Sequence, residues 1–325
     1  MTAMRVSKRW DFFRIGASFM TRIITLTPNP ALDYAVAADF VEPNRKIRCR
    51  DPQMHPGGGG VNVARSCARL GAHTLAIYTA GGVYGDALIK SLASENVPMR
   101  MIPIAGDTRL AFHVNNRKEG NEYRFNLPGA EMSEGEIRRF FNAVREEAEP
   151  GDFVVGSGSL PPGAPEDFWA EAAHLAKQEG ARFVLDSISG LDAALDEGVY
   201  MLRQNEHEYA AVAGKTLKWP DGIETYAKDM VSKGRVQNMV VSHGGDGSLL
   251  ANADGVFTAP AYKVRASSAV GAGDSFVGGL VTALCRGEAP EDALRFGMAA
   301  AAATRMSEGT ALFDPADVKK LFSGG

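Results

Sequence analysis

The chain has 325 residues, with 35 basic and 39 acidic side chains and a net charge of −4. That balance is a poor footprint for a protein that holds nucleic acid or a membrane surface by charge. The three cysteines, Cys49, Cys67 and Cys285, are widely spaced; they form no pattern for a disulfide framework or a zinc cluster and suit a reducing, cytoplasmic setting. Glycine is the excess, at 36 residues, about 11% of the chain against an average near 7%.

Residues 1–19 are basic, but Asp11 and Arg14 interrupt any apolar core that a secretory signal needs. They are expected to lie outside a fold occupying 20–325, as an extension or as sequence ahead of the true start at Met20. No run of about 18 apolar residues occurs anywhere, so no membrane span is expected. The first strand signal is IITL at 23–26. A period-two stretch follows at 31–50, then HPGGGGVNVARSCARLG at 55–71, where four glycines run into a helical pattern over 61–70 stopped by Gly71. Four glycines alone read as a flexible loop. Between two structured elements they read better as backbone brought close to a polar ligand, with Asn62 able to donate and accept toward it.

A strand at 74–80 and a helix at 85–95 come next. A second period-two stretch at 109–127 alternates through Leu110, Phe112 and Val114, turns at Gly120-Asn121, and returns through Tyr123 and Phe125. Together the two stretches predict a small antiparallel sheet standing off the main one, a lid or a subunit contact; an ordinary sheet edge is the plainer alternative. Helices then alternate with strands: helix 133–148 opening at Ser133, strand 152–157, helix 165–179, strand 182–187, strand 200–205, helices 205–213 and 222–233, and strand 238–243. This order predicts right-handed crossovers and an α/β fold with a mostly parallel sheet covered on both faces.

VVSHGGDGSLL (240–250) places Ser242, Gly244 and Gly247 in a tight connection that reads equally as a hairpin and as a nucleotide contact. The strongest local signal is SSAVGAGDSFVGGLVTALCRG at 267–287. Apolar residues from Phe276 onward fall at helical spacing, so Gly271-Ala272-Gly273 turns into a helix N-terminus, where unpaired N–H groups and the helix dipole favour an anion. Asp274 in that first turn is either a capping carboxylate or a base placed to take a proton from an attacking hydroxyl. A last helix is expected at 288–306. Two other motifs fail: Gly-Lys-Thr at 214–216 has Tyr209 where a P-loop needs glycine, and no G-x-G-x-x-G opens a helix after the first strand.

In combination, PGGGGVNVAR, SGSLPPG (157–163), Asn205-x-x-Glu208 and VGAGDS (270–275) make the chain resemble the ribokinase-like sugar kinases of the PfkB carbohydrate kinase family, over residues 21–323. Within it, LTPNPALD, KIRC at 46–49, YRFNLPG at 123–129 and Gly59, where hexose-phosphate relatives have lysine, resemble the 6-phosphofructokinase branch. The resemblance implies a three-layer α/β/α sandwich with a β lid from about 31–50 and 109–127, and an ATP-dependent kinase converting fructose 6-phosphate to fructose 1,6-bisphosphate; related activities on fructose 1-phosphate or tagatose 6-phosphate are the alternative, and a sensor without chemistry is the remote one. It makes Asp274 the catalytic base and Gly271, Ala272 and Gly273 the anion hole. Asp33, Gly58, Gly59 and Asn62 would bind sugar hydroxyls, and Lys46, Arg109, Arg124 and Ser159 the substrate's phosphate. ATP would meet Asn205, His207, Ser242, Gly244 and Gly247, with Mg²⁺ held by Asn205 and Glu208 largely through water. A homodimer paired through the lids is implied as well. Four positions depart from the family pattern: Arg203-Gln204 replaces Lys-Pro, His207 replaces a lysine, and Ala269 stands where threonine is common.

Overall fold

The computed structural model describes residues 21–307 and 309–324; the expectation for residues 1–19 lies outside them. In chain order, β1 (Ile23–Thr27), β2 (Ala31–Ala38) and β3 (Arg50–Gly57) precede α1 (Gly59–Arg69), β4 (Thr74–Ala80), α2 (Gly82–Ser94) and β5 (Met99–Pro103). A hairpin of β6 (Arg109–Asn116) and β7 (Asn121–Asn126) leads to α3 (Glu134–Glu147), β8 (Phe153–Ser157), α4 (Phe168–Gln178) and β9 (Arg182–Asp186). Then come α5 (Leu191–Glu197), β10 (Val199–Asn205), α6 (Glu206–Ala213), α7 (Asp221–Ser232), β11 (Val236–Ser242), β12 (Ser248–Asn252), β13 (Gly255–Ala259), α8 (Ala272–Cys285), α9 (Pro290–Met306) and α10 (Pro315–Gly324).

Nine strands form the main sheet in the order β13-β12-β11-β10-β9-β8-β1-β4-β5. All its pairings are parallel except those of β12 with β11 and β13. Its inner strands are buried on both faces, so they read as continuous apolar runs. Successive side chains part company: Ile24, Val154, Leu185, Leu202 and Val241 join Phe140, Trp169 and Ile223 from α3, α4 and α7. Their neighbours Ile23, Val155, Val184, Met201 and Val240 pack instead with Val63, Phe276, Val281 and Leu294 from α1, α8 and α9. The result is an α/β/α sandwich. Close approach of helices is built in, since a side chain on Gly278 of α8 would start 2.4 Å from Ser66 Oγ of α1.

The second sheet has the order β3-β2-β6-β7. It is mixed and so departs from the wholly antiparallel sheet expected: β2 pairs β6 in parallel, because each leaves the main sheet after a parallel strand, β1 or β5, and runs the same way. Its outer strand β3 lies at 50–57, past the expected limit at 50, since Pro52 and Pro56 hide the strand pattern; an edge strand tolerates them. Other unexpected elements are short or weakly apolar. β5 reads Met-Arg-Met-Ile-Pro at the sheet's end, and α5 spans seven residues after a left-handed Gly190.

Phe140 is fully buried against Phe141 and Phe168. Phe140→Ala is expected to lower unfolding free energy by about 3–5 kcal/mol, read as an earlier urea midpoint with KM values retained.

Candidate active site

Two helices, α1 and α8, start side by side and each follows a glycine at positive φ: Gly58 at 102° and Gly271 at 73°. At Gly271 any side chain would be strained by the backbone and would meet Leu312 Cδ2 at 2.9 Å. At Gly59 a side chain would start 2.3 Å from Ser157 Oγ, so the turn into α1 can lie against the end of β8 only without one. Asp274 is the third residue of α8, and its Oδ2 accepts a hydrogen bond from Asn62 Nδ2 of α1 at 2.8 Å.

Burial pushes the Asp274 carboxyl up to about 7, and the charges of Asp186 and Asp33 add to it; Asn62 and Arg203 work the other way. Such a group changes protonation in the range a general base requires. Across from it, Arg203 of β10 donates through Nη1 to Asp186 Oδ1 at 3.0 Å and through Nη2 to Ser242 Oγ at 2.7 Å. Asp186 Oδ2 in turn accepts from Ser157 Oγ at 2.9 Å. Burial opposes the Arg203 charge, yet Asp186, Glu208 and Asp274 hold its pKa above the ordinary value.

Asn205 and Glu208 form a capping box at the start of α6. Asn205 Oδ1 accepts from the His207 and Glu208 N–H groups at 2.9 and 3.0 Å, and Glu208 Oε2 accepts from the Asn205 N–H at 2.8 Å. Burial, followed by the charge of Asp186, raises Glu208.

These groups line one cavity of about 620 Å³. Of the residues singled out from sequence, Ala272, Gly273, Asp274, Asn205, His207, Glu208, Ser242, Gly244 and Arg124 line it. Gly271 caps the helix beside it and Asn62 touches Asp274. Asp33 is buried on β2, where burial raises its carboxyl to about 6 against the pull of Arg65 and Arg109. Arg109 Nε donates to the Asn29 carbonyl at 3.2 Å, and Asn29 Nδ2 donates to Ser159 Oγ at the same distance, so Arg109, Asn29 and Ser159 form one polar strip. Gly58 caps α1, and Gly247 ends the turn after β11 with φ at 118°. Arg124 reaches the cavity from β7 while bonded to Glu122. Lys46 sits exposed in the loop between β2 and β3 and does not line the cavity.

Ser157, Asp186 and Arg203 were not singled out from sequence as site residues. The available signal was position: Ser157 and Asp186 end parallel strands and Arg203 lies two residues before the end of another, the side on which open α/β sheets bind ligands.

A mostly parallel sandwich with a buried carboxylate at a glycine-capped helix N-terminus belongs to a recognised class of enzymes. The chain is a member of the pfkB family of carbohydrate kinases, whose model matches residues 27–317. It is 37% identical over 306 residues to the ATP-dependent 6-phosphofructokinase isozyme 2 of Escherichia coli K12, covering 94% of this chain and 99% of that protein. It is also 37% identical over 301 residues to the enzyme of the same name from Mycobacterium tuberculosis, covering 93% and 89%. The crystal structure of phosphofructokinase-2 from E. coli in complex with fructose-6-phosphate matches with a TM-score of 0.88 at 36% identity, over 94% of this chain and 99% of that one.

The raised carboxyl has a consequence for stability. A folded-state value near 7 against 3.8 for the free side chain means that the native state keeps a proton the unfolded chain has lost, so stability falls as pH rises through that window. Asp274→Asn is expected to raise the thermal midpoint at pH 8, with the difference shrinking toward pH 4, as measured by calorimetry.

Proposed function

We propose that this protein transfers the γ-phosphoryl group of ATP to the C1 hydroxyl of fructose 6-phosphate, giving fructose 1,6-bisphosphate and ADP. The observation that carries this reading is the buried Asp274 carboxylate, held by Asn62, in the first turn of α8. As the hydroxyl oxygen attacks the γ-phosphorus, the O–H proton passes to Asp274 and the bond to the β,γ-bridging oxygen breaks, with ADP leaving. The N–H groups of Gly271, Ala272 and Gly273 would form the anion hole for the transferring group, where the helix dipole favours its charge; in this structure the Ala272 N–H donates to the Ala269 carbonyl at 3.4 Å. ATP lies along the cavity past Ser242, Gly244, Gly247 and His207. The sugar is held by Asp33, Gly58, Gly59 and Asn62, and its 6-phosphate by Arg109, Arg124 and Ser159, with Lys46 brought in from its loop. Guanidinium forks match a phosphate in charge and geometry.

Mg²⁺ fits the donor set only as a partner of the nucleotide. Among the described residues no three His, Cys, Asp or Glu side chains gather to hold a metal ion, yet Asp186 and Glu208 are close enough for Asp186 to raise Glu208. Asn205 and Glu208 would hold, largely through water, a hydrated ion brought with the triphosphate, and the chemistry it would supply there is charge neutralisation.

The small sheet supports a homodimer. Met54, Phe125 and Leu127 are 55%, 52% and 51% exposed, and Tyr34, Phe112 and Phe125 form a row of ring contacts across β2, β6 and β7. A monomeric mass in solution at micromolar concentration would remove this part of the reading.

A coupled assay of ADP release against fructose 6-phosphate, fructose 1-phosphate, tagatose 6-phosphate and fructose tests the substrate. Fructose 6-phosphate is expected to give the highest kcat/KM, and turnover of unphosphorylated fructose at the same efficiency would sink the phosphate assignment. Asp274→Asn is expected to lose on the order of 10² to 10⁴ in kcat while still binding the sugar phosphate. Near-parental turnover in that variant would show that Asp274 is not the base.

A further inference from the structure

Helix α1 carries a buried arginine that the chemistry above leaves without a role. Arg65 is 1% exposed, and its guanidinium faces two ways. Nε and Nη2 donate to Glu95 Oε1, at the end of α2, at 2.9 and 2.6 Å. Nη1 donates to the Pro56 carbonyl at 2.8 Å and to Asn62 Oδ1 at 2.9 Å. A guanidinium has donors only, so the amide atom it meets on Asn62 has to be the carbonyl oxygen. The other arm, the NH₂, then faces Asp274 Oδ2 at 2.8 Å. Turning the amide over would set NH₂ against guanidinium and carbonyl against carboxylate, two unfavourable contacts in a buried place.

We propose that Arg65, held by Glu95, is a positioning residue for phosphoryl transfer: it fixes the Asn62 amide so that Asp274 keeps a donor on Oδ2 and presents Oδ1 to the sugar hydroxyl. This rests on Asp274 being the base. Glu95 is itself a firm anchor. Burial alone would raise its carboxyl, but Arg65 and Arg69 hold it below its usual value, so the brace stays charged. The other charged groups facing Asp274 are Asp186, Arg203 and Asp33, and those facing Arg65 include Asp33 and His55. Asn62 is hydrogen-bonded to both Asp274 and Arg65. An N–H donated to a carboxylate favours its charged form. Losing that donor moves the protonation of Asp274 to higher pH.

The test is the pH profile of kcat/KM with ATP and fructose 6-phosphate for the parent, Arg65→Met, Arg65→Lys and Glu95→Gln, with Asp274→Asn as control. Arg65→Met is expected to move the acid limb up by about one pH unit and to lower kcat about tenfold at neutral pH, with KM for ATP unchanged. Arg65→Lys, which keeps a donor for Asn62 Oδ1, is expected to keep the parental limb. An unmoved limb in Arg65→Met overturns the proposal whatever happens to kcat, as does a limb in Arg65→Lys displaced as far as in Arg65→Met. If Arg65→Met does not fold, Glu95→Gln decides: a limb moved in the same direction supports the brace, and an unmoved one overturns it. Full turnover in Asp274→Asn removes the base assignment and this proposal with it, whereas an inactive Asp274→Asn beside an unmoved Arg65→Met limb removes this proposal alone.

Discussion

The site depends on keeping a carboxylate usable in a place that disfavours its charge. Asp274 is buried at the start of α8, where a helix N-terminus favours an anion. The sheet supplies the balancing frame. Ser157, Asp186 and Ser242 end β8, β9 and β11, and Arg203 lies two residues before the end of β10 between them; they are joined in a row by Ser157 to Asp186, Asp186 to Arg203 and Arg203 to Ser242. This row fixes where the buried Arg203 guanidinium, whose charge acts on Asp274, stands. It also ties the position of that charge to the register of the sheet: a slip of one residue in β10 would turn Arg203 to the other face.

Several groups serve both fold and site. The Asn205 and Glu208 pair closes the N-terminus of α6 as a capping box, which engages one oxygen of each with backbone N–H groups. The Glu208 carboxylate keeps acceptor capacity outside the cap, whereas the Asn205 amide offers its NH₂ as a donor. The glycines divide in the same manner. Gly58 and Gly271 permit the two helix starts, whereas Gly278 and Gly279 let α8 lie close against Ser66 of α1 and Ala300 of α9.

Much of this was legible in the chain. Strands buried on both faces announce themselves as apolar runs, and the helices covering them carry clear stops, such as Gly71 and Gly180, both at positive φ. Asp274, Asn62 and Asn205 were readable because glycine clusters or fixed spacing mark their turns. Asp186 and Arg203 were not, because nothing local distinguishes a charged residue at the end of a buried strand until its neighbour in the sheet is known; they lie 17 positions apart in sequence and meet only through the pairing of β9 with β10. The small sheet was half legible. Its alternation showed, but the parallel join of β2 to β6 is a property of the main sheet's topology, and β3 was hidden by its prolines.

That join has a mechanical consequence. The small sheet is attached to the body at four places: β2 follows β1, β3 runs into α1, β6 follows β5, and β7 leads to α3. A flap on one hinge could swing freely, but a sheet sewn on at four points can only tilt as a piece. Because β3 ends at Gly57, two residues before α1 begins, any tilt that moves Asp33 and Arg109 also pulls on the start of the helix that carries Asn62. The position of the small sheet and the placement of the amide beside Asp274 are thereby geared together.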